Sequence, residues 1–165
     1  MSAPLQFPLQ VRFRDVDAYG HVNNATYFTY LEDARSQLIH TSLGSAAGGG
    51  ATAEQTFEQL VGEENFVLAA RHEIEYSAPL LYRPHPVHVE IWVTRIGSSS
   101  FDFGYRVAED DGSTVYAVAS SSMVLVSRAT GKPVPLSEAQ RHALETWLGG
   151  DVPYRPRRDT APAQG

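Results

Sequence analysis

Five polar residues near the start of the chain have types and spacing that can do chemistry: Asp15, Asp17, His21, Asn23 and Asn24, within "RFRDVDAYGHVNNATYFTYLEDAR", residues 12 to 35. An apolar-striped helix follows them at once. The free N–H groups of a first helical turn can hydrogen-bond an anion or a developing oxyanion. With a carbonyl group held there, Asp17 can attack the carbon or deprotonate a water. Gly20 allows a sharp turn and leaves room for a ligand. Asn23 and Asn24 can orient water without titrating, and His21 can serve as general acid or orient the acid group. Together these residues suit acyl transfer. A plainer reading competes, in which the acids and asparagines only cap and close the turn. An Asp-x-Asp pair also serves metal–nucleotide binding, but no second acidic cluster with ligand spacing follows, so no metal is expected.

The elements that must position these groups can be read from hydrophobic period. Leu9 to Phe13 alternates apolar and polar, as a short first strand does. On that extended segment alternate residues point oppositely, so Asp15 should face away from a site built on Asp17 and matter far less to activity. From Asn24 the period becomes helical through Tyr27, Phe28, Leu31, Ala34 and Leu38, with Asn23 or Asn24 as N-cap. The tract "GSAAGGGATAE" breaks the helix, and a short helical piece is expected at Glu54 to Val61. Strands are expected at Phe66 to Tyr76, around Val87 to Thr94, over Phe101 to Val107, and from Val115 to Val126. Ser137 caps a terminal amphipathic helix running to Leu148. The composition predicts one domain over 1–150 and a disordered tail over 151–165. One helix covered by one curved antiparallel sheet is an α+β layout, and its open edges favour pairing with a second copy.

Composition excludes several classes. The 165 residues suffice for one core, and with no Cys there are no disulfides, thiolate nucleophiles or Cys-based zinc sites. The net charge of −6 argues against broad nucleic-acid binding. No apolar run approaches the ~18 residues of a membrane span, and the N-terminus lacks the regions of a signal peptide, so a cytoplasmic location is expected.

The opening stretch resembles the signature of the 4-hydroxybenzoyl-CoA thioesterase branch of the hotdog-fold acyl-CoA thioesterases. Similarity continues in "YSAPLLYRPHPVHVEIWVTRIGSSSFDFGYRV" and "TGKPVPLSEAQRHAL", so it covers most of residues 8 to 148. The resemblance implies a hotdog fold, a long central helix wrapped by a curved antiparallel sheet with a C-terminal helix. It implies hydrolysis of an acyl-CoA, with coenzyme A as part of the substrate and no separate cofactor. It places the catalytic carboxylate on Asp17, the oxyanion donor on the backbone N–H near Asn24, and supporting roles on Asn23 and His21. Tyr27 is the aromatic near the helix start, assigned to substrate binding. Where the benzoyl enzyme carries basic residues for coenzyme A phosphate, this chain has Ser98, Ser99 and Ser100, with Arg95, Arg106 and Arg128 as substitutes. Such enzymes build their sites at a dimer interface, so a homodimer or homotetramer is implied, acting on acyl-CoA or acyl carrier protein. The rivals are a hotdog hydratase or dehydratase using His21 on a β-hydroxyacyl thioester, and an acyl-CoA-binding module without turnover. Among other residues, Glu32 and Arg35 have the spacing of a local helix ion pair. His72 and His88 read as sheet-surface or interface residues.

Overall fold

The structure is a computed structural model that describes residues 4–41 and 55–156. Its elements are β1 (Leu5–Leu9), a 3-10 turn (Phe13–Asp15), α1 (Thr26–Ile39), α2 (Phe57–Val61), β2 (Asn65–Tyr76), β3 (Val87–Ile96), β4 (Ser100–Ala108), β5 (Val115–Ser127) and α3 (Glu138–Glu145). The strands form one antiparallel sheet in the spatial order β1-β3-β4-β5-β2, and α1 lies against its inner face. This is the α+β hotdog arrangement.

Period explains the layers. In β3, Val87, Val89, Ile91 and Val93 are buried and alternate with side chains on the outer face. On β4, Phe101, Phe103 and Tyr105 meet them from the next strand. Helix α1 buries Tyr27, Tyr30, Leu31, Ala34 and Leu38 at helical spacing. Each large side chain buried there contributes about 1.5–3 kcal/mol. Phe28, expected in that stripe, is 38% exposed and turns toward β2.

The terminal helix ends at Glu145 and not Leu148, and two boundaries near the candidate residues also differ from the sequence reading. The first strand is Leu5–Leu9 and not Leu9 to Phe13, because Leu9 pairs with Val87, the first residue of β3, and the partner strand ends there. Beyond it the chain tightens into the 3-10 turn and leaves Phe13 80% exposed. The long helix begins at Thr26 after Ala25, which makes no side-chain cap. Asn23 satisfies the entrance from two residues before, accepting the Ala25 N–H at 2.8 Å.

The sheet has unequal edges. β1 is five residues long and contains Pro8, whereas β2 is twelve residues long and exposes Leu68 through His72. Of the segment read as a tail, residues 151–156 are described and run along the outer face of the sheet. Trp92 Nε1 donates to the Gly150 carbonyl (2.8 Å), and Tyr154 Oη donates to the Glu73 carbonyl (3.1 Å) and lies 2.9 Å from the Ser120 hydroxyl. Beneath this strap Gly104 must be glycine, since a Cβ there would sit 2.6 Å from the Trp92 ring. Residues 157–165 and Glu54, the expected start of α2, lie outside the described residues.

Candidate active site

The two acids of the opening stretch have opposite surroundings. Asp15 is 4% exposed and turns inward, where Oδ2 accepts from the Arg12 N–H (2.9 Å) and from Tyr30 Oη (2.7 Å), while the Arg12 guanidinium reaches both oxygens at 3.2 Å. Burial pushes this carboxyl upward, but the Arg12 N–H, the Tyr30 hydroxyl and the Arg12 side chain outweigh it and hold the group below its ordinary range. The Tyr30 phenol is pushed up in turn, by burial and by donating to Asp15. Asp15 also ties the loop to the helix mouth, since its carbonyl accepts the Asn23 N–H at 2.9 Å.

The depressed carboxyl couples stability to pH. Its contribution is present above the unfolded value near 3.8 and is lost as pH falls through the folded value. Asp15→Asn should therefore destabilise the fold by about 2 kcal/mol at neutral pH, the scale of a charged hydrogen-bond set broken in a buried place. The gap to the native chain should shrink as pH falls below about 4, where the carboxyl of the unfolded chain takes up its proton first, and close below the lowered folded value. Urea titrations at neutral and acid pH measure this, and a constant gap would contradict the assigned role.

Asp17 is half-buried at the surface. Its Oδ1 accepts from the Tyr19 N–H (2.8 Å) and the His21 N–H (3.4 Å), and its own N–H donates to the His21 carbonyl at 2.8 Å. This tight loop is closed by Gly20 at φ +81°, a left-handed conformation that favours glycine. Oδ2 of Asp17 makes no hydrogen bond among the described residues and remains available to a substrate or water. His21 holds Asp17 through its main chain, while its exposed side chain bonds nothing among the described residues.

The helix mouth carries the second half of the site. Val22 N–H donates to the Leu80 carbonyl, and Asn23 is fixed by its bonds to Asp15 and Ala25. The Asn24 N–H has no hydrogen-bond partner among the described residues, and the residue is exposed. Its carbonyl accepts from Tyr76 Oη at 2.8 Å. Tyr76 was not singled out from sequence; its only signal was inward parity at the end of β2, and its partner Asn24 lies 52 residues away. Tyr27, expected to bind substrate, is buried beneath the mouth against Tyr30 and Tyr76, with ring centroids at 5.9 and 5.1 Å.

The residues expected to meet coenzyme A have the following surroundings. Ser98, Ser99 and Ser100 form the turn between β3 and β4, their carbonyls accepting from the N–H groups of Leu136, Leu125 and Gly97. Arg95 donates to Asp102 at 2.7 Å, and Arg106 makes a two-bond pair with Glu90 at 2.7 and 2.8 Å. Of the three substitute arginines only Arg128 has no carboxylate partner among the described residues. Its guanidinium lies 5.3 Å from the centre of the Phe66 ring. Both residues line a cavity of about 690 Å³ with Ile39, Phe57, Val61 and Val67, at the far end of α1 from Asp17. A smaller cavity of about 400 Å³ lies between α1 and β2, and Asp17 lines neither. Glu32 and Arg35 do not form the expected ion pair, because Arg35 Nη1 turns inward and donates to Tyr105 Oη at 3.2 Å. Among the described residues no cluster of three metal-ligating side chains occurs, and no helix is long and apolar enough to cross a membrane.

A loop carboxylate before a buried helix under an antiparallel sheet can be compared with known proteins. The family model described as the thioesterase-like superfamily matches residues 11–144. The chain belongs to that superfamily. Its fold is shared with the probable thioesterase YbaW of Escherichia coli, at TM-score 0.72 and 21% identity, covering 88% of this chain and 99% of that one. It is also similar to a thioesterase from Thermus thermophilus, whose crystal structure is a complex with coenzyme A and Zn. There the TM-score is 0.64 and the identity 27%, over 86% of this chain and 98% of that one. The uncharacterized protein YsmA of Bacillus subtilis (strain 168) is 23% identical over 137 residues, 82% of each chain.

Proposed function

We propose that the protein hydrolyses the thioester of an acyl-CoA to the free acid and coenzyme A. The observation that carries this is the placement of Asp17, with one carboxylate oxygen held and the other unengaged, ahead of a helix at whose entrance the Asn24 N–H is also unengaged. The thioester oxygen accepts from that N–H, and the positive end of α1 favours the charge that develops on it. Asp17 either attacks the carbonyl carbon, giving an anhydride that water opens, or takes a proton from the attacking water. In both cases the C–S bond breaks, the sulfur leaves as thiolate and collects a proton. Asn23, pinned to Ala25 by its Oδ1, retains its amide N–H groups to orient the water. The bound coenzyme A of the Thermus thermophilus thioesterase supports an acyl-CoA as substrate.

A working unit of two chains completes the reading. The twelve-residue β2 edge exposes backbone and an apolar run, including Leu68 at 50% exposure, as an edge strand awaiting a partner does. Pairing β2 with its copy continues the sheet and shuts solvent from the cleft beside α1. The test is thiol release by the purified chain over a panel of acyl-CoAs, with light scattering on the same sample. The expected result is release from some members of the panel by a dimer or larger assembly. Binding of acyl-CoA without thiol release would leave a binding module, and a fully active monomer would remove the shared-site reading.

A further inference from the structure

The cleft between α1 and β2 contains a chain of polar groups that hydrolysis at Asp17 does not use. It begins at Arg35, whose guanidinium has donors only, and whose Nη1 donates to Tyr105 Oη at 3.2 Å. Tyr105 and Ser121 are both 0% exposed. Burial pushes the Tyr105 phenol up, while the Arg35 charge and a hydrogen bond with the Ser121 hydroxyl act against it. Ser121 Oγ in turn lies 2.7 Å from Nδ1 of His72, its pairing partner on β2. Arg35 occupies one lone pair of Tyr105, and the chain Tyr105–Ser121–His72 engages the ring through Nδ1, leaving Nε2 as the nitrogen that faces the cleft. Burial, followed by the Arg35 charge, lowers the His72 pKa against the opposing effect of Glu32, which keeps the ring neutral.

The ring has a definite place relative to the helix mouth. Phe28 lies over it at 5.7 Å between centroids. Phe28 follows Asn24 by four residues, about 6 Å along the helix axis. An acyl chain whose carbonyl oxygen sits at the Asn24 N–H would pass His72 within its first few carbons. Deeper in the cleft the walls include Leu68, Phe103 and Met123. Nε2 has no partner among the described residues.

We propose that His72 is a specificity residue, its Nε2 hydrogen-bonding a hydroxyl group near the third carbon of the acyl chain. This rests on the acyl thioester reading above. It narrows the substrate class to acyl groups that are polar close to the thioester and apolar beyond.

The test compares kcat/KM for 3-hydroxyhexanoyl-CoA and hexanoyl-CoA, followed by thiol release, in the native chain and in His72→Phe, His72→Gln and Ser121→Ala. Reading a ratio cancels any general loss of folded or active protein. The native chain should favour the hydroxylated substrate by about tenfold, the scale of one well-placed hydrogen bond. His72→Phe should bring the ratio near one, His72→Gln should restore part of it through its amide group, and Ser121→Ala should lower it by releasing the ring. A native preference for hexanoyl-CoA, or a ratio unmoved in His72→Phe, would overturn the proposal. If neither these two substrates nor the wider panel release thiol, the hydrolase reading fails separately. Calorimetric titration with the matching non-hydrolysable thioethers then reads the same ratio as affinities, and the same outcomes support or overturn the role of His72.

Discussion

Asp17→Asn should reduce thiol release by a factor on the order of 10²–10⁴ while leaving the fold in place. The change keeps size and the two hydrogen bonds from the Tyr19 and His21 N–H groups, because an amide oxygen accepts them as a carboxylate oxygen does. What is lost is the nucleophile or base, whose contribution has that scale. The residue is half-buried at the surface and forms no part of the core, so melting temperature should move little. The contrast with Asp15 makes the test selective. Asp15→Asn is expected to act on stability through the Arg12 and Tyr30 bonds, and on rate only as far as the loop loosens. Unaltered turnover in a folded Asp17→Asn chain would refute the assignment and return the opening stretch to the role of a helix cap.

Asn24→Pro carries the second large effect. Proline has no backbone N–H, so the substitution deletes the proposed oxyanion donor and nothing else of the helix ladder, which begins at Thr26. Removing one such donor costs on the order of 10²–10³ in turnover. Asn24→Ala is the control: it keeps the N–H and should retain most activity, since the Asn24 carbonyl that receives Tyr76 Oη is also unchanged. The proline restrains Asn23 before it toward extended backbone. Circular dichroism must therefore show an intact helix before rates are compared. A folded Asn24→Pro chain with normal turnover would remove the helix mouth as the oxyanion site.

The sequence alone determined the elements whose signal is local. The 2-residue period of Val87 to Val93, the 3.6-residue period from Tyr27 to Leu38 and the Ser137 cap are each written in neighbouring side chains, and each appears in place. The position of Asp17 before a helix was legible for the same reason. Tertiary structure decided what depends on distant partners. Leu5–Leu9 became the first strand because β3 offers backbone only as far as Val87. Arg35 left Glu32 for Tyr105, 70 residues on, since a buried phenol offers the guanidinium a better-shielded acceptor than a solvated helix face. Arg95 and Arg106 were taken up by Asp102 and Glu90 across a strand pair, a match that exists only in the register of β3 on β4. Residues 151–156, polar and proline-rich, settled on the sheet because Ser120 and the Glu73 carbonyl were there to receive Tyr154. His72 is the exposed sheet residue the sequence suggested, but its partner Ser121 was not legible there, since only strand register brings together groups 49 positions apart.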